Sequence, residues 1–126
     1  LMQVNVNAPF LLSKSMMPLL RAAPDASVIC VSSSVGRQGR AYWGPYAVSK
    51  FALEGMMQVF ADEQDGTSKV RFNSLNPGAT RTSMRAAAYP GEPPEKNPEP
   101  AQIMPAFLYL LGTDSILVNG QSLDAQ

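Results

Sequence analysis

The chain has 126 residues, ten basic and ten acidic side chains with no net charge, and 45% hydrophobic content, the balance of a single globular domain. No basic patch has the density that phosphate binding requires and no apolar run approaches the roughly 20 residues of a membrane span, so neither nucleic acid nor a membrane is an expected partner. Histidine is absent and Cys30 is the sole cysteine, which excludes an internal disulfide, a His-based triad and a zinc site and leaves no metal to be expected.

The chain opens at Leu1 within what reads as a helix rather than in a polar tail, so it is expected to be a fragment with residues missing upstream. From Met2 to about Ala22 the apolar residues Val4, Val6, Phe10, Leu11, Met17, Leu19 and Leu20 recur at three and four spacing, predicting a helix whose first turns Pro9 disturbs. "APDA" at 23–26 is a turn signal. "SVICVSS" at 27–33 is short, β-branched and uncharged, the pattern of a strand buried on both faces of a parallel sheet, with Cys30 as a small buried apolar residue. The glycine-bearing loop "SVGRQGRAYW" leads into a second helix from about Pro45 to Asp65, Pro45 suiting its first turn. After the turn "DGTS", "KVRFNSLNP" from Lys69 to Pro77 alternates as a second strand, and "PGATRT" follows as a loop. The segment 89–100, "YPGEPPEKNPEP", is expected to be a mobile surface loop. A third helix from about Pro100 to Gly112 and a short strand near "GQSLDA" complete the chain. This alternation predicts an α/β fold with a parallel sheet, and three strands are fewer than a doubly wound sheet usually has, so about half of the sheet is expected to be absent.

Tyr46 and Lys50 stand at i and i+4 near the start of the second helix and project from one face. A phenol ionises near pH 10 when unperturbed, and a neighbouring ammonium favours the phenolate, so the spacing suits an acid and its electrostatic partner. The competing explanation is a solvated lysine beside a half-buried tyrosine. The strand before them ends in three serines, at the carboxyl end where open parallel sheets bind ligands. Strand alternation would turn Ser32 and Ser34 one way and Ser33 the other, and Ser33 precedes Tyr46 by thirteen residues.

The order Ser33, Tyr46, Lys50 at these separations resembles the short-chain dehydrogenase/reductases. "VNVNAPF" resembles the family's helix motif with an active-site asparagine, placing that role on Asn5 rather than Asn7. "NPGATRT" resembles the Pro-Gly segment that lies over the nicotinamide, and "NGQSLDAQ" the last strand; the stretch around Tyr46 is most similar to the family's bacterial YciK-like branch. The resemblance implies that residues 1–126 are the C-terminal, catalytic half of one Rossmann-like doubly wound domain, with the glycine-rich dinucleotide-binding half absent. It implies an NAD(P)-dependent oxidoreductase, NADP weakly favoured, that moves hydride between nicotinamide and a carbonyl or secondary alcohol. Asn5, Ser33, Tyr46 and Lys50 would be the catalytic residues, and Tyr46, Lys50, Pro77, Gly78, Ala79, Thr80 and Thr82 would meet the cofactor. It further implies a cytoplasmic homodimer or homotetramer, with the helices at 2–22 and 44–65 packing on their copies through the "FALEGMMQVF" face.

The alternative function is a truncated, catalytically silent chain acting at most as an interaction module. Gly36 and Gly39 are expected to be loop glycines, not a pyrophosphate-binding turn. Met16, Met17, Met56 and Met57 are expected in the core or between subunits. Tyr42 and Trp43 are candidates either for a substrate pocket or for loop packing, and Arg81 and Arg85 either reach an anionic substrate or cofactor or, as the favoured expectation, are solvated surface charge.

Overall fold

Pro9 has no N–H to donate and so cannot bond the carbonyl of Asn5 as a regular helix would require. In the computed structural model, which describes residues 1–126, the chain widens before it into a π-turn over Gln3–Asn7, with Ala8 N–H bonded to Gln3 O. The regular helix α1 (Ala8–Ala22) then follows. Strands β1 (Ala26–Val31), β2 (Val70–Asn76) and β3 (Ser122–Asp124) form a parallel sheet in the order β1-β2-β3, with Ala26 opposite Val70 and Ser74 opposite Ser122. Helix α2 (Gly44–Gln64) runs between β1 and β2 in sequence, and α4 (Met104–Leu111) precedes β3.

The two-residue period of a strand divides β1 and β2 between two helical layers. Ala26, Cys30, Val70 and Phe72 pack with Leu53, Met57, Phe60 and Ala61 of α2, and Phe60 stacks on Phe72 at 5.0 Å. Ser27 and Arg71 face the other way and bond the carbonyl of Leu110 at the end of α4. Met57, Phe72 and Leu75 are wholly buried, and each such side chain contributes about 2 kcal/mol through lost apolar exposure. Helix α1 lies along α2. Asn5 meets Ser49, Phe10 meets Phe60 and Arg21 meets Gln64, contacts that advance together along both helices.

Four expectations are corrected. β1 is an edge strand with only Ala26 and Cys30 buried; the strand buried on both faces is the central β2. Ser32 and Ser34 do not share an orientation, because the strand ends at Val31 and the chain coils into a short helical turn, Ser34–Gly36, leaving Ser32 buried and Ser34 exposed. The helix expected over this first stretch is present, and of the apolar residues that predicted it only Met17 is buried, while Val4, Phe10, Leu11 and Leu19 face outward, as does Met16. The third helix begins as a tighter turn at Pro100–Ile103.

The fourth concerns 89–100, a surface loop as expected but one cross-tied by hydrogen bonds and ion pairs. A short helix absent from the sequence-based expectation, α3 (Ser83–Ala88), precedes it. Arg81 reaches across to the carbonyls of Pro94 and Asn97 and to Glu99, and its own N–H bonds Pro98 O. Arg85 pairs with Glu92 at 2.9 Å and lies 3.9 Å from the Tyr89 ring centroid. Hydrogen bonds from Arg85 hold the Glu92 carboxyl down at about 2. The two arginines are thus cross-ties of the loop and not free surface charge.

Candidate active site

The carboxyl ends of β1 and β2 collect the chemically competent groups. Tyr46 lies in the first turn of α2, and Lys50, one turn on, places its ammonium 5.6 Å from the Tyr46 ring centroid. Lys50 Nζ also donates to Val31 O, the last carbonyl of β1, at 2.9 Å, which anchors the helix to the strand end. Burial of the amine pulls Lys50 below the ordinary lysine value.

Ser33 is extended, and its hydroxyl accepts from Val35 N at 3.4 Å while Gly36 N donates to its carbonyl at 2.9 Å. The turn it opens lies directly on Lys50. A Cβ added at Gly36 would stand 2.8 Å from Lys50 Cβ and 3.0 Å from its carbonyl carbon, so only glycine admits this approach. Gly36 is therefore more than a loop glycine, whereas Gly39 meets nothing within 4 Å of such an added atom.

Asn5 donates to Ser49 Oγ at 3.1 Å, and the fully buried Ser49 donates to Tyr46 O at 2.7 Å. Asn7 turns outward and bonds only Gln3, so the π-turn presents Asn5, not Asn7, to α2. Asn5 touches the site through Ser49 and makes no hydrogen bond to Lys50. The link through Ser49 had one sequence signal, a serine three residues after Tyr46 on the helix's inner side.

Pro77 to Thr82 form the loop after β2. Gly78 takes φ +74°, which glycine alone adopts freely, and its N–H bonds Asn76 Oδ1 at 3.0 Å. Thr80 Oγ1 donates to Gly78 O, and Thr82 caps α3 by accepting from Arg85 N. The side-chain amide of Gln126 donates to both Pro77 O and Ala79 O at 2.8 Å. Trp43 lies 5.8 Å from the Tyr46 ring, centroid to centroid, whereas Tyr42, at φ +69°, is fully exposed. Trp43 is thus the better placed of the two to wall a site.

Sequence reasoning also missed a carboxylate. Glu54, one turn beyond Lys50 on α2, is 5% exposed and accepts from Arg37 Nε at 3.0 Å, Ser74 Oγ at 2.7 Å and Ser122 Oγ at 3.0 Å. Burial alone would raise its pKa, but the donors around it, Ser74 first and then the nearby Ser32 hydroxyl, Arg37 and Ser122, outweigh that and leave it below the ordinary value. The signal was a glutamate on the buried side of an otherwise apolar helix. Cys30 is buried beneath these groups, and burial with the nearby Glu54 charge pushes its thiol up to about 11, an inert thiol as expected. Ser32 Oγ is buried without a hydrogen bond.

A phenol, a hydroxyl and an ammonium at the mouth of a parallel sheet can give or take a proton and steady a charged oxygen. The short chain dehydrogenase family model matches residues 1–93. The oxidoreductase YciK of Escherichia coli K12 is 56% identical over 99% of this chain and 49% of its own, and its solved structure superposes with a TM-score of 0.95. A short chain dehydrogenase from Salmonella enterica serovar Typhi gives a TM-score of 0.96 at 57% identity, covering 99% of this chain and 51% of that one. A protein of Escherichia coli CFT073 solved with NADPH gives 0.95 at 56% identity, again covering 99% and 51%. The chain belongs to the short-chain dehydrogenase family, with the α/β, parallel-sheet fold expected of it. It spans about half the length of the relatives it matches. No helix is long and apolar enough to cross a membrane.

Proposed function

We propose that this chain is the catalytic half of one Rossmann-like domain in an NAD(P)-dependent oxidoreductase, acting on a carbonyl or secondary alcohol in the cytoplasm. The observation that carries the reading is the close seating of the Ser33 turn on Lys50, one helical turn from Tyr46, in a chain of a dehydrogenase family. NADP is favoured over NAD, since a relative 56% identical holds NADPH.

The residues fit such a cofactor. The loop at 77–79 already holds a primary carboxamide, that of Gln126, between two carbonyls, and nicotinamide carries the same group. Pro77, Gly78, Ala79, Thr80 and Thr82 would border the nicotinamide, and Lys50 would hold the ribose hydroxyls. When bound, the nicotinamide would supply or accept the hydride. Tyr46 gives a proton to the carbonyl oxygen in reduction and takes one from the alcohol in oxidation. Ser33 Oγ donates a hydrogen bond to that oxygen as charge develops on it. The Lys50 ammonium, beside the ring, stabilises the negative charge left when the proton departs. Asn5 braces the first turn of α2 through Ser49, and in the proton-resupply role a water beside it would link Lys50 to solvent.

For assembly, α1 and α2 would meet their copies in a dimer or tetramer. Much of "FALEGMMQVF" is spent inside this chain; the outward stripe on α2 is Val48, Phe51 and Val59, and α1 also exposes Phe10, Leu11, Leu12 and Leu19. Light scattering on the full-length protein should give at least a dimer at micromolar concentration, and a stable monomer contradicts this.

The test of function is NADPH oxidation by the full-length protein with 4-nitrobenzaldehyde and a panel of ketones and quinones. Turnover that disappears in Tyr46→Phe supports the reading. Wild-type protein that neither binds NADPH nor reduces any carbonyl overturns it in favour of a silent interaction module.

A further inference from the structure

We propose that Arg37 and Glu54 are positioning residues, their ion pair holding the turn that carries Ser33 against the helix that carries Tyr46 and Lys50. The proposal rests on the reading of those three groups as the reacting ones.

The turn Ser34–Gly36 has a stop and a tether. The stop is Gly36, already so close to Lys50 that not even a methyl group fits between them. The tether is Arg37, the residue that ends the turn, whose Nε donates to Glu54 Oε1 at 3.0 Å. Glu54 lies at i+4 from Lys50, so the carboxylate restrains the turn from the same face of α2 that bears Tyr46 and Lys50. Both partners are fixed from other elements. Glu54 Oε2 accepts from Ser74 of β2 and Ser122 of β3, while Arg37 Nη1 and Nη2 reach Asp124 Oδ1 and Leu123 O, each at 2.8 Å. Only the planar, five-donor guanidinium can serve these directions at once.

Stability alone gives a poor reason for this arrangement. A buried ion pair contributes little net stability beside an apolar replacement of similar volume, and the neighbouring buried positions of α2 are Leu53, Met56 and Met57. A carboxylate at 54 instead holds geometry, and displacing a reacting hydroxyl by about 1 Å can cost on the order of 100-fold in rate.

The test uses Arg37→Met, Glu54→Gln and the double variant in the full-length protein. Hydrogen exchange at the Val35 and Gly36 amides, which close the Ser33 turn, should accelerate at least tenfold while the β2 amides stay protected. Reduction of a carbonyl probe by NADPH should lose kcat by about 30-fold, with KM for NADPH within threefold and the double variant no worse than either single one. Glu54→Gln keeps the side chain's shape and strands no buried charge, so it serves as the folded variant where Arg37→Met, which leaves the buried carboxylate unpaired, does not fold. Turn amides as protected as in the wild type, or kcat within twofold of it in a folded variant, overturn the proposal. If wild-type protein reduces no carbonyl, the functional reading fails on its own account and the exchange experiment still decides whether the pair holds the turn.

Discussion

The sheet carries an arginine–carboxylate pair at each end, and the two differ in what surrounds the cation. At the amino end Arg71, 3% exposed, pairs with Asp25 and places Nη1 on Ser115 O and Ser115 Oγ, both at 2.6 Å, with further contacts to the carbonyls of Leu110 and Gly112. Its partners are mostly main-chain oxygens at the end of α4 and the turn beyond it, which it shares with donors from Ser27, Ser115 and Val118. At the carboxyl end the carboxylate is the buried member and the arginine is partly exposed, and apart from Leu123 O the partners are side chains from α2, β2 and β3. One pair gathers the backbone carbonyls that close the amino end around a single guanidinium; the other ties together the segments that bring in Ser33 and Lys50. The same two functional groups thus serve closure at one end and alignment at the other, according to which member is buried.

The largest effect should separate chemistry from both pairs. Tyr46→Phe removes a hydroxyl that makes no hydrogen bond in the structure, so turnover should fall by about 1,000-fold with an unchanged Tm. A folded variant with near wild-type kcat would remove Tyr46 from the reaction.

Next comes the amino-end pair. Arg71→Met leaves Asp25 without its ion-pair partner and removes a buried donor shared by the Ser115, Leu110 and Gly112 carbonyls, and should cost about 3 kcal/mol or more in urea unfolding. Asp25→Asn should cost much less, because Asp25 is 29% exposed in its side chain and the carbonyl partners of Arg71 remain. Equal losses would mean that the ion pair, not the backbone closure, carries the stabilisation.

The carboxyl-end pair should reveal itself in acid. Glu54 in the folded chain lies below its free value of 4.5, so its contribution is complete above that pH and is lost as pH falls through 4.5 and below. The unfolding free energy of Glu54→Gln should therefore decline less between pH 5 and 3 than that of the wild type. Parallel declines would show that the carboxylate is no better bound in the folded chain than in the unfolded one.

The smallest effect concerns Cys30. With the folded thiol at about 11 against 9.0 unfolded, stability holds below pH 9 and is lost as pH rises toward 11. Iodoacetamide at pH 8 should label Cys30 slowly in the folded protein and readily in urea, and equal rates would contradict its burial.

Much of this was legible in local pattern. Pro45 at a helix start, the β-branched run around Cys30, the i, i+4 pair of Tyr46 and Lys50, and Gly78 beside Pro77 each announce their conformation from a few neighbouring residues. What escaped depends on distant partners. Whether Val4 and Leu11 are inside or outside is decided by which face of α1 meets α2, and apolar spacing alone does not say. Ser32 and Ser34 part company because a turn follows at once, and Gly36 owes its need for hydrogen to Lys50, fourteen residues away. Segment 89–100 has the composition of free loop, yet Arg81 and Arg85, outside it, hold it down. The family resemblance supplied Ser33 and Asn5, roles that spacing alone did not single out.

The widened turn at Gln3–Asn7 has a consequence for how this segment tolerates change in length. A π-turn holds one residue more than the regular helix, and each residue of a helix rotates its neighbours by about 100°. Deleting a residue between Gln3 and Asn7 would close the widened turn and leave Pro9, without an N–H, in the path of a regular helix. It would also swing Asn5 about a quarter turn out of phase with Ser49, and no side-chain rotamer can recover that angle. Aligned descendants of this gene should therefore accept substitutions at Gln3, Val4 and Asn7 far more readily than a single codon lost among them.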